Sequence, residues 1–307
     1  MNRNNFRDLL NAHLNVSWLR PESALWDAIA SFYLSKCKIT PPSLDLGCGN
    51  GIFSFITAGG RFSIDYDWYV NVDGSRMNGR MDIYDICLVS NLKKYITRNP
   101  GYKFTFGLDA KPNLLKQANL LGFYDNIIEH DANKRFPFRD GEFRTIFSNM
   151  LYWLKDLDRS LEEVHRILDT AGTALLCLPN AAFYDYCVSY QWKVRQSNLL
   201  KLLNGGRSES IHWTISYNEF IKKAGKAGFK ITSHLYYLSP LTLKIWDIGL
   251  RPISSTLIKM ANSLGNEKRA ILKREWIDTV FDFLYPLYEF EKQGNAKMGF
   301  HLFVLKK

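Results

Sequence analysis

The chain has 307 residues, of which 46% are hydrophobic and 23% are charged, as expected for a globular protein that buries a full core without disulfides. Its five cysteines form no Cys-x-x-Cys pair and match no zinc spacing, so we predict reduced thiols and no metal site. The N-terminus does not resemble a signal peptide, and no apolar run reaches the roughly 18 residues of a membrane span. A cytoplasmic protein is therefore expected.

Positive charge is concentrated in the C-terminal part of the chain. Residues 1–190 contain 21 Lys/Arg and 21 Asp/Glu, whereas residues 191–307 contain 19 and 9 and account for the whole net charge of +10. Such a basic half can be a solvated surface, or it can bind an anionic substrate, lipid headgroups or nucleic acid. The charge alone leaves these alternatives open.

The first 42 residues are predicted to form an N-terminal helical segment. Residues 18–35 place apolar side chains at helical spacing, and Pro41-Pro42 then ends the helix. Residues 43–48 are typical of a buried strand that runs into glycine turns, and a short helix should follow. Residues 60–100 lack periodicity, so we predict an insertion there.

Strands and helices alternate from residue 103 onward, and this alternation predicts a parallel sheet with helices on both faces. Predicted strands cover 103–109, 126–131, 144–149, 173–179, 229–237 and 300–306, and predicted helices cover 111–121, 157–168 and 218–227. Amphipathic helix, broken at Pro252 and Pro286, separates the last two strands. The predicted organisation is a helical segment 1–42, an α/β domain 43–239 plus 298–307, and a helical lid or substrate subdomain 240–297.

A glycine-rich loop follows the first predicted strand. Its pattern is Asp45-x-Gly47-x-Gly49-x-Gly51, and glycines at this spacing allow tight turns and close approach of backbone to a ligand. A helix start after such a turn suits a nucleotide or a nucleoside. The dinucleotide fingerprint Gly-x-Gly-x-x-Gly/Ala fits imperfectly, because Ile52 occupies its third glycine position.

The loop instead resembles motif I of the class I S-adenosylmethionine-dependent methyltransferases. The resemblance continues in order through Phe106–Leu115, Glu129–Ala132, Phe136–Met150 and Leu161–Thr173. It implies a Rossmann-like, seven-stranded, mostly parallel sheet with an antiparallel last strand. It also implies S-adenosylmethionine (SAM) as the methyl donor and S-adenosylhomocysteine (SAH) as the product.

The resemblance also implies the cofactor contacts. Asp109 matches the acid that binds the ribose hydroxyls, and Asp131 matches the acid that meets the adenine amino group. Asp109 follows the loop at a longer distance than is usual in the family, so Asp65 or Asp67 competes with it for that role. The predicted cofactor site comprises Asp45, Gly47, Cys48, Gly49, Gly51, Asp109, Ala110, Asp131, Ala132, Asn149 and Met150.

The general base is not the same residue throughout the family, so the resemblance assigns none. We therefore choose a candidate by its position relative to the predicted strands. His212 follows the fifth strand of the predicted sheet and is our hypothesis for a base; a histidine bonded to backbone at a helix entry is the alternative. Tyr152 and Trp153 follow the fourth strand and are predicted to line the substrate pocket, with core packing as the alternative.

The leading prediction is a SAM-dependent methyltransferase that O-methylates a small molecule, a sugar or a lipid-linked glycan with the help of a general base. An RNA methyltransferase that uses the basic C-terminal region is an alternative, but no RNA-binding module and no Asn/Asp-Pro-Pro-Tyr/Phe motif occurs, so a nucleic-acid partner is not favoured. A non-catalytic cofactor-binding protein and an NAD-dependent enzyme are further alternatives. Residues 240–297 are predicted to cover the substrate, or else to rest on lipid headgroups as a peripheral membrane contact.

Overall fold

The computed structural model describes residues 3–72, 91–191, 211–292, 295 and 297–307. Its strands are β1 (Ser43–Leu46), β2 (Arg61–Phe62), β3 (Ile96–Arg98), β4 (Phe104–Asp109), β5 (Tyr124–Glu129), β6 (Phe143–Ser148), β7 (Leu168–Pro179), β8 (Lys230–Tyr237) and β9 (Phe300–Lys306). The described α-helices are α1 (Arg3–Val16), α2 (Pro21–Leu34), α3 (Ile52–Thr57), α4 (Pro112–Leu121), α5 (Leu157–Ile167), α6 (Val188–Gln191), α7 (Tyr217–Lys226), α8 (Pro240–Ile248), α9 (Ser254–Asn262), α10 (Asn266–Leu284) and α11 (Tyr288–Glu291).

Seven strands form one sheet in the order β5-β4-β1-β6-β7-β9-β8. Neighbouring strands are parallel except at β9, which runs antiparallel to both β7 and β8. The predicted Rossmann-like sheet and its antiparallel last strand are therefore confirmed. The chain crosses from one side of β1 to the other, so the carboxyl end of β1 is the topological switch point where ligands bind in such sheets.

Helices cover both faces of this sheet. Leu46, Ile146 and Leu176 point into a core that includes apolar residues of α5 and α7, whereas Phe147, Cys177 and neighbouring side chains point into a core formed with α1, α2 and α3. β1 is buried along its whole length because it lies in the middle of the sheet with both faces covered. The N-terminal segment is thus part of the main core.

The insertion after α3 contributes a small hairpin. β2 pairs antiparallel with β3, where the sequence suggested irregular structure. Asn15 of α1 donates through Nδ2 to the carbonyl oxygens of Phe62 and Ser63, and the indole of Trp68 donates to Val16 O. These bonds fasten the described part of the insertion to the end of α1. Residues 73–90 of the predicted insertion lie outside the described residues.

The helices between the last two strands are held by buried charged side chains. Lys273 of α10 is 2% exposed and donates through Nζ to Asn15 Oδ1, Ile64 O and Tyr66 O at 2.6–2.9 Å. Burial lowers the pKa of Lys273 to about 8. Four residues earlier, Arg269 pairs with Asp67 at 2.9 Å in a nearly dry environment. This segment is therefore anchored to α1 and the insertion.

The basic excess lies outside these helices. Residues 240–297 contain nine Lys/Arg and seven Asp/Glu, whereas residues 191–239 contain eight and two. Charge attraction therefore gives little support to a contact of these helices with lipid headgroups, and that contact stays a prediction. In the part of the chain that the structure describes, no helix has the length and apolarity needed to span a bilayer.

Candidate functional site

The carboxyl ends of β1, β4, β5 and β6 meet at one edge of the sheet. Leu46 of β1 is in register with Leu108 of β4, and the amides of Gly47 and Cys48 both donate to Leu108 O, at 2.8 and 3.0 Å. Asp109 is in register with Glu129 at the end of β5. Four predicted parts of the cofactor site are thus brought together: the glycine loop, Asp109-Ala110, Asp131-Ala132 and Asn149-Met150.

The glycine loop needs its glycines for two physical reasons. Gly47, Gly49 and Gly51 have φ angles of +81°, +56° and +77°, which L side chains rarely adopt. A Cβ on Gly47 would lie 1.9 Å from Met150 Cγ, and one on Gly51 would lie 2.7 Å from the Tyr124 ring. A Cβ on Gly49 would meet only Leu114, at 3.9 Å, so this residue borders open space.

Asp45 lies beneath the loop. Its carboxylate is 2% exposed, accepts a hydrogen bond of 2.7 Å from the Tyr124 hydroxyl and is also hydrogen-bonded to Ser54 at the start of α3. Burial raises the pKa of Asp45 to about 6, although both hydroxyl donors oppose that shift. Asp45 was predicted as a cofactor contact, but this placement makes it a support for the loop.

Asp109 links the loop to the end of β4. Its Oδ2 accepts the Gly49 amide at 3.0 Å and its Oδ1 accepts the Lys111 amide at 2.9 Å. Each carboxylate oxygen can accept a further bond, which leaves room for two hydroxyl donors. The competing residues lie elsewhere, because Asp67 is paired with Arg269 and Asp65 borders a separate cavity beside α10. The geometry therefore favours Asp109.

Asp131 and Ala132 follow β5 directly. Asp131 is partly exposed, and its Oδ1 accepts bonds from the amide and the side chain of Asn133 at 2.9 and 3.0 Å. These hydrogen bonds lower the pKa of Asp131. Ala132 is buried at 8% exposure, whereas Asn149 and Met150 are partly exposed after β6. The predicted residues thus form a continuous rim beside the glycine loop.

The residues predicted to line the substrate pocket or to act as a base are only partly enclosed. The Tyr152 ring meets Phe300 edge-on at 5.7 Å and is partly exposed, whereas Trp153 is 42% exposed. The His212 amide donates to Tyr152 O at 3.0 Å, which brings this residue beside the predicted pocket. The His212 side chain itself is exposed. A role for His212 as a base stays a prediction, and its exposure does not favour it.

Helix α2 covers this edge of the sheet and supplies residues that sequence reasoning missed. The Trp26 ring lies 4.6 Å from Trp246, 4.8 Å from Phe300 and 6.2 Å from Phe183. Next to it, Asp27 is partly exposed and accepts no hydrogen bond from the residues that the structure describes. The sequence feature that could have identified Asp27 is its position as the one carboxylate within the otherwise apolar residues 24–30.

A cavity of about 440 Å³ lies between the insertion and α10, away from the glycine loop. It is lined by Ile64, Asp65, Tyr66, Asp67, Val70, Asn91, Lys94, Tyr95, Asn266, Arg269, Ala270 and Lys273. Apart from the competing acids Asp65 and Asp67, none of the predicted site residues is in that lining. Within the described ranges, no cluster of three or more His, Cys, Asp or Glu side chains is placed to hold a metal ion.

Comparisons with known proteins identify a methyltransferase domain. Residues 87–176 match the family model described as "Methyltransferase domain", a range that contains Asp109, Asp131 and Asn149-Met150. A search of curated protein sequences gives no significant match.

Solved methyltransferase structures are also similar to this chain. A SAM-dependent methyltransferase from Thermotoga maritima is 14% identical (92% of this chain, 90% of that chain, TM-score 0.45). One from Mesorhizobium loti is 12% identical (86% and 90%, TM-score 0.42). Geranyl diphosphate C-methyltransferase from Streptomyces coelicolor, solved with Mg²⁺, geranyl diphosphate and SAH, is 12% identical (93% and 83%, TM-score 0.43).

The domain match agrees with the strand order and with the glycine loop fixed against the Asp109 carboxylate at the switch point. Residues 87–176 are thus similar to a methyltransferase domain, within a sheet that has the Rossmann-like strand order predicted from the resemblance to class I methyltransferases.

Proposed function

We propose that this chain transfers a methyl group from SAM to a hydroxyl of a small molecule, a sugar or a lipid-linked glycan. One observation carries the proposal: the Gly49 amide bonds to the Asp109 carboxylate at 3.0 Å, which joins the glycine loop to the acid expected to bind ribose. The two features lie 60 residues apart in the sequence. Their contact forms the kind of cradle that a nucleoside cofactor requires.

The chemistry of the residues present fits SAM. Asp109 has one acceptor position left on each oxygen for the two ribose hydroxyls. Asp131 and Ala132 stand at the next strand end, where an adenine would lie, and Gly49 borders open space for the methionine part. SAM supplies an electrophilic methyl group on a sulfonium; the chain's own residues hold the donor and the acceptor.

Methyl transfer depends mainly on alignment and exclusion of water. Holding two reactants in line makes the reaction effectively unimolecular. The wall formed by Trp26, Tyr152, Trp246 and Phe300 would pack against the acceptor and keep it dry. Mostly apolar walls with a few polar groups are typical of small-molecule pockets. This lining favours a small or partly apolar acceptor.

Calorimetric titration with SAM, SAH and NAD⁺ tests the proposal. We expect SAM and SAH to bind and NAD⁺ not to bind. Replacing Asp109 by Ala should weaken SAM binding at least about tenfold, because the ribose hydroxyls lose a charged acceptor. Asp65→Asn is the matched control, since the sequence alone offered Asp65 as a competitor, and it should leave the affinity unchanged. Binding of NAD⁺ without binding of SAM would contradict the proposal.

The acceptor is found by a second assay. Transfer of a labelled methyl group from SAM is measured with a panel of phenols, sugars, polyprenyl-linked sugars and, as the competing class, RNA. We expect label in a hydroxyl compound. Label in RNA alone would favour the nucleic-acid alternative and contradict the proposed acceptor class.

A further inference from the structure

Asp27 lies at the level of the glycine loop, as shown by the packing of α2 on α3. Ser31 Oγ of α2 and Thr57 Oγ1 of α3 are 2.8 Å apart. Both helices begin at the carboxyl edge of the sheet, because Trp26 contacts Phe300 and α3 follows the loop directly. One turn before Ser31 is Asp27, and one turn before Thr57 is Phe53, two residues after the loop.

Arg20, Tyr152 and Tyr237 are the charged and titratable groups that interact with the Asp27 carboxylate. Burial raises the pKa of Asp27 to about 7, and Arg20 opposes that shift. Burying a carboxylate costs free energy unless a donor compensates. No described residue donates to Asp27, and it is partly exposed, so a bound molecule could supply that donor.

We propose that Asp27 is the general base of the reaction and contacts the acceptor hydroxyl between Tyr152 and Trp26. This inference rests on the proposed function. A lone pair of the acceptor oxygen forms the bond to the methyl carbon as the carbon–sulfur bond breaks. The electron pair of that bond stays on sulfur as a neutral thioether, and the hydroxyl proton passes to an Asp27 carboxylate oxygen. His212 then has no part in proton transfer.

The charge of the donor provides a test that needs no acceptor. SAM carries a sulfonium cation, whereas sulfur in SAH is neutral. A cation beside Asp27 favours its ionised form, so SAM affinity should rise with pH across neutrality more than SAH affinity does. A one-unit lowering of the Asp27 pKa corresponds to about a fivefold gain in SAM affinity between pH 6 and 8. Asp27→Asn should abolish this gain, and Asp282→Asn, at an exposed site on α10, should keep it.

The outcomes separate the two proposals. If wild type binds SAM and Asp27→Asn shows the same pH dependence, the role of Asp27 is overturned and the proposed function stands. If wild type binds no SAM at any pH, the proposed function fails. Thermal unfolding of Asp27→Asn verifies that the variant is folded.

Turnover tests the proton transfer itself. With an acceptor from the panel and saturating SAM, Asp27→Asn should lower kcat at least about 100-fold, and Asp27→Glu should restore part of the activity. The acid limb of the kcat/KM profile near pH 7 should vanish in Asp27→Asn. A kcat within about threefold of wild type would overturn the assignment.

Discussion

Two carboxylates near the glycine loop differ in their hydrogen-bond partners. Asp45, at the end of β1 beneath the loop, is called the floor acid here, and Asp27 of α2 is called the roof acid. Asp45 on the floor is 2% exposed and receives hydrogen bonds from Tyr124 and Ser54. Asp27 on the roof is partly exposed and receives none from the described residues. Burial raises the pKa of both, to about 6 for Asp45 and about 7 for Asp27.

This difference separates a structural acid from one available for chemistry. The hydrogen bonds of Asp45 connect β1, β5 and the start of α3, and its burial keeps the carboxylate away from solvent. Asp27 is partly exposed and accepts no hydrogen bond from the described residues. A pKa near neutrality lets it both accept and release a proton at working pH.

The glycine loop should not tolerate a side chain at Gly47. Gly47→Ala places a Cβ 1.9 Å from Met150 Cγ and forces a φ of +81° on an L residue. We expect SAM affinity to fall at least about 100-fold, as measured by calorimetry, because the loop must move. Gly225→Ala is the control, since nothing lies within 4 Å of a Cβ there. Retained affinity in Gly47→Ala would show that the loop is not the binding element.

Lys273, a buried cation away from Asp45 and Asp27, should affect the stability of the fold but not the affinity for SAM. Lys273→Met leaves Asn15 Oδ1, Ile64 O and Tyr66 O without their donor. Unfolding in urea should show a loss of about 3 kcal/mol or more, because each buried acceptor left unpaired costs about 1–3 kcal/mol. SAM affinity should not change. Lys268→Met, at an exposed position on the same helix, should have little effect on either quantity.

The two acids should respond to the same substitution with opposite signs. Asp45→Asn puts an amide where Tyr124 and Ser54 donate, so we expect a loss of about 1–3 kcal/mol in unfolding free energy. Asp27→Asn removes a desolvated charge and should raise the unfolding free energy at pH 8. Urea unfolding of both variants measures this. If Asp27→Asn lowers the unfolding free energy more than Asp45→Asn does, the distinction between a structural Asp45 and an Asp27 available for chemistry is contradicted.

Asp45 and Asp27 should also differ in how their contributions to stability depend on pH. Both folded pKa values lie above the usual value near 3.8, so each acid contributes stability below about pH 4 that is lost as the pH rises. For Asp45 the loss should be complete above about pH 6, and for Asp27 above about pH 7. Urea unfolding from pH 4 to 8 should therefore show a smaller decline between pH 6 and 7 in Asp27→Asn than in Asp45→Asn.

The sheet could be predicted from the sequence because its signals are local. Runs such as residues 143–148 and 300–306 are apolar and short, and the glycine loop has a characteristic spacing. The order of the acids along the chain then gave Asp109 its role. Asp45 was assigned to the cofactor because the pattern does not show that Tyr124, 79 residues later, would reach its carboxylate.

The acceptor side could not be predicted because it depends on packing between distant segments. Asp27 and Trp26 reach the site only because α2 lies on the sheet beside β9, a contact that no local pattern encodes. His212 was chosen by position in the chain, which does not reveal the direction of a side chain. Most of the basic excess of residues 191–307 precedes the helices of 240–297, so the charge count did not identify what those helices contact.

A crystal structure of the complex with SAH tests the central claim most directly. We expect the ribose hydroxyls on Asp109, the adenine near Asp131, and the sulfur over the glycine loop, facing the space between Tyr152 and Asp27. Sulfur that faces away from Asp27, or SAH bound in the cavity beside Lys273 instead of at the loop, would contradict it.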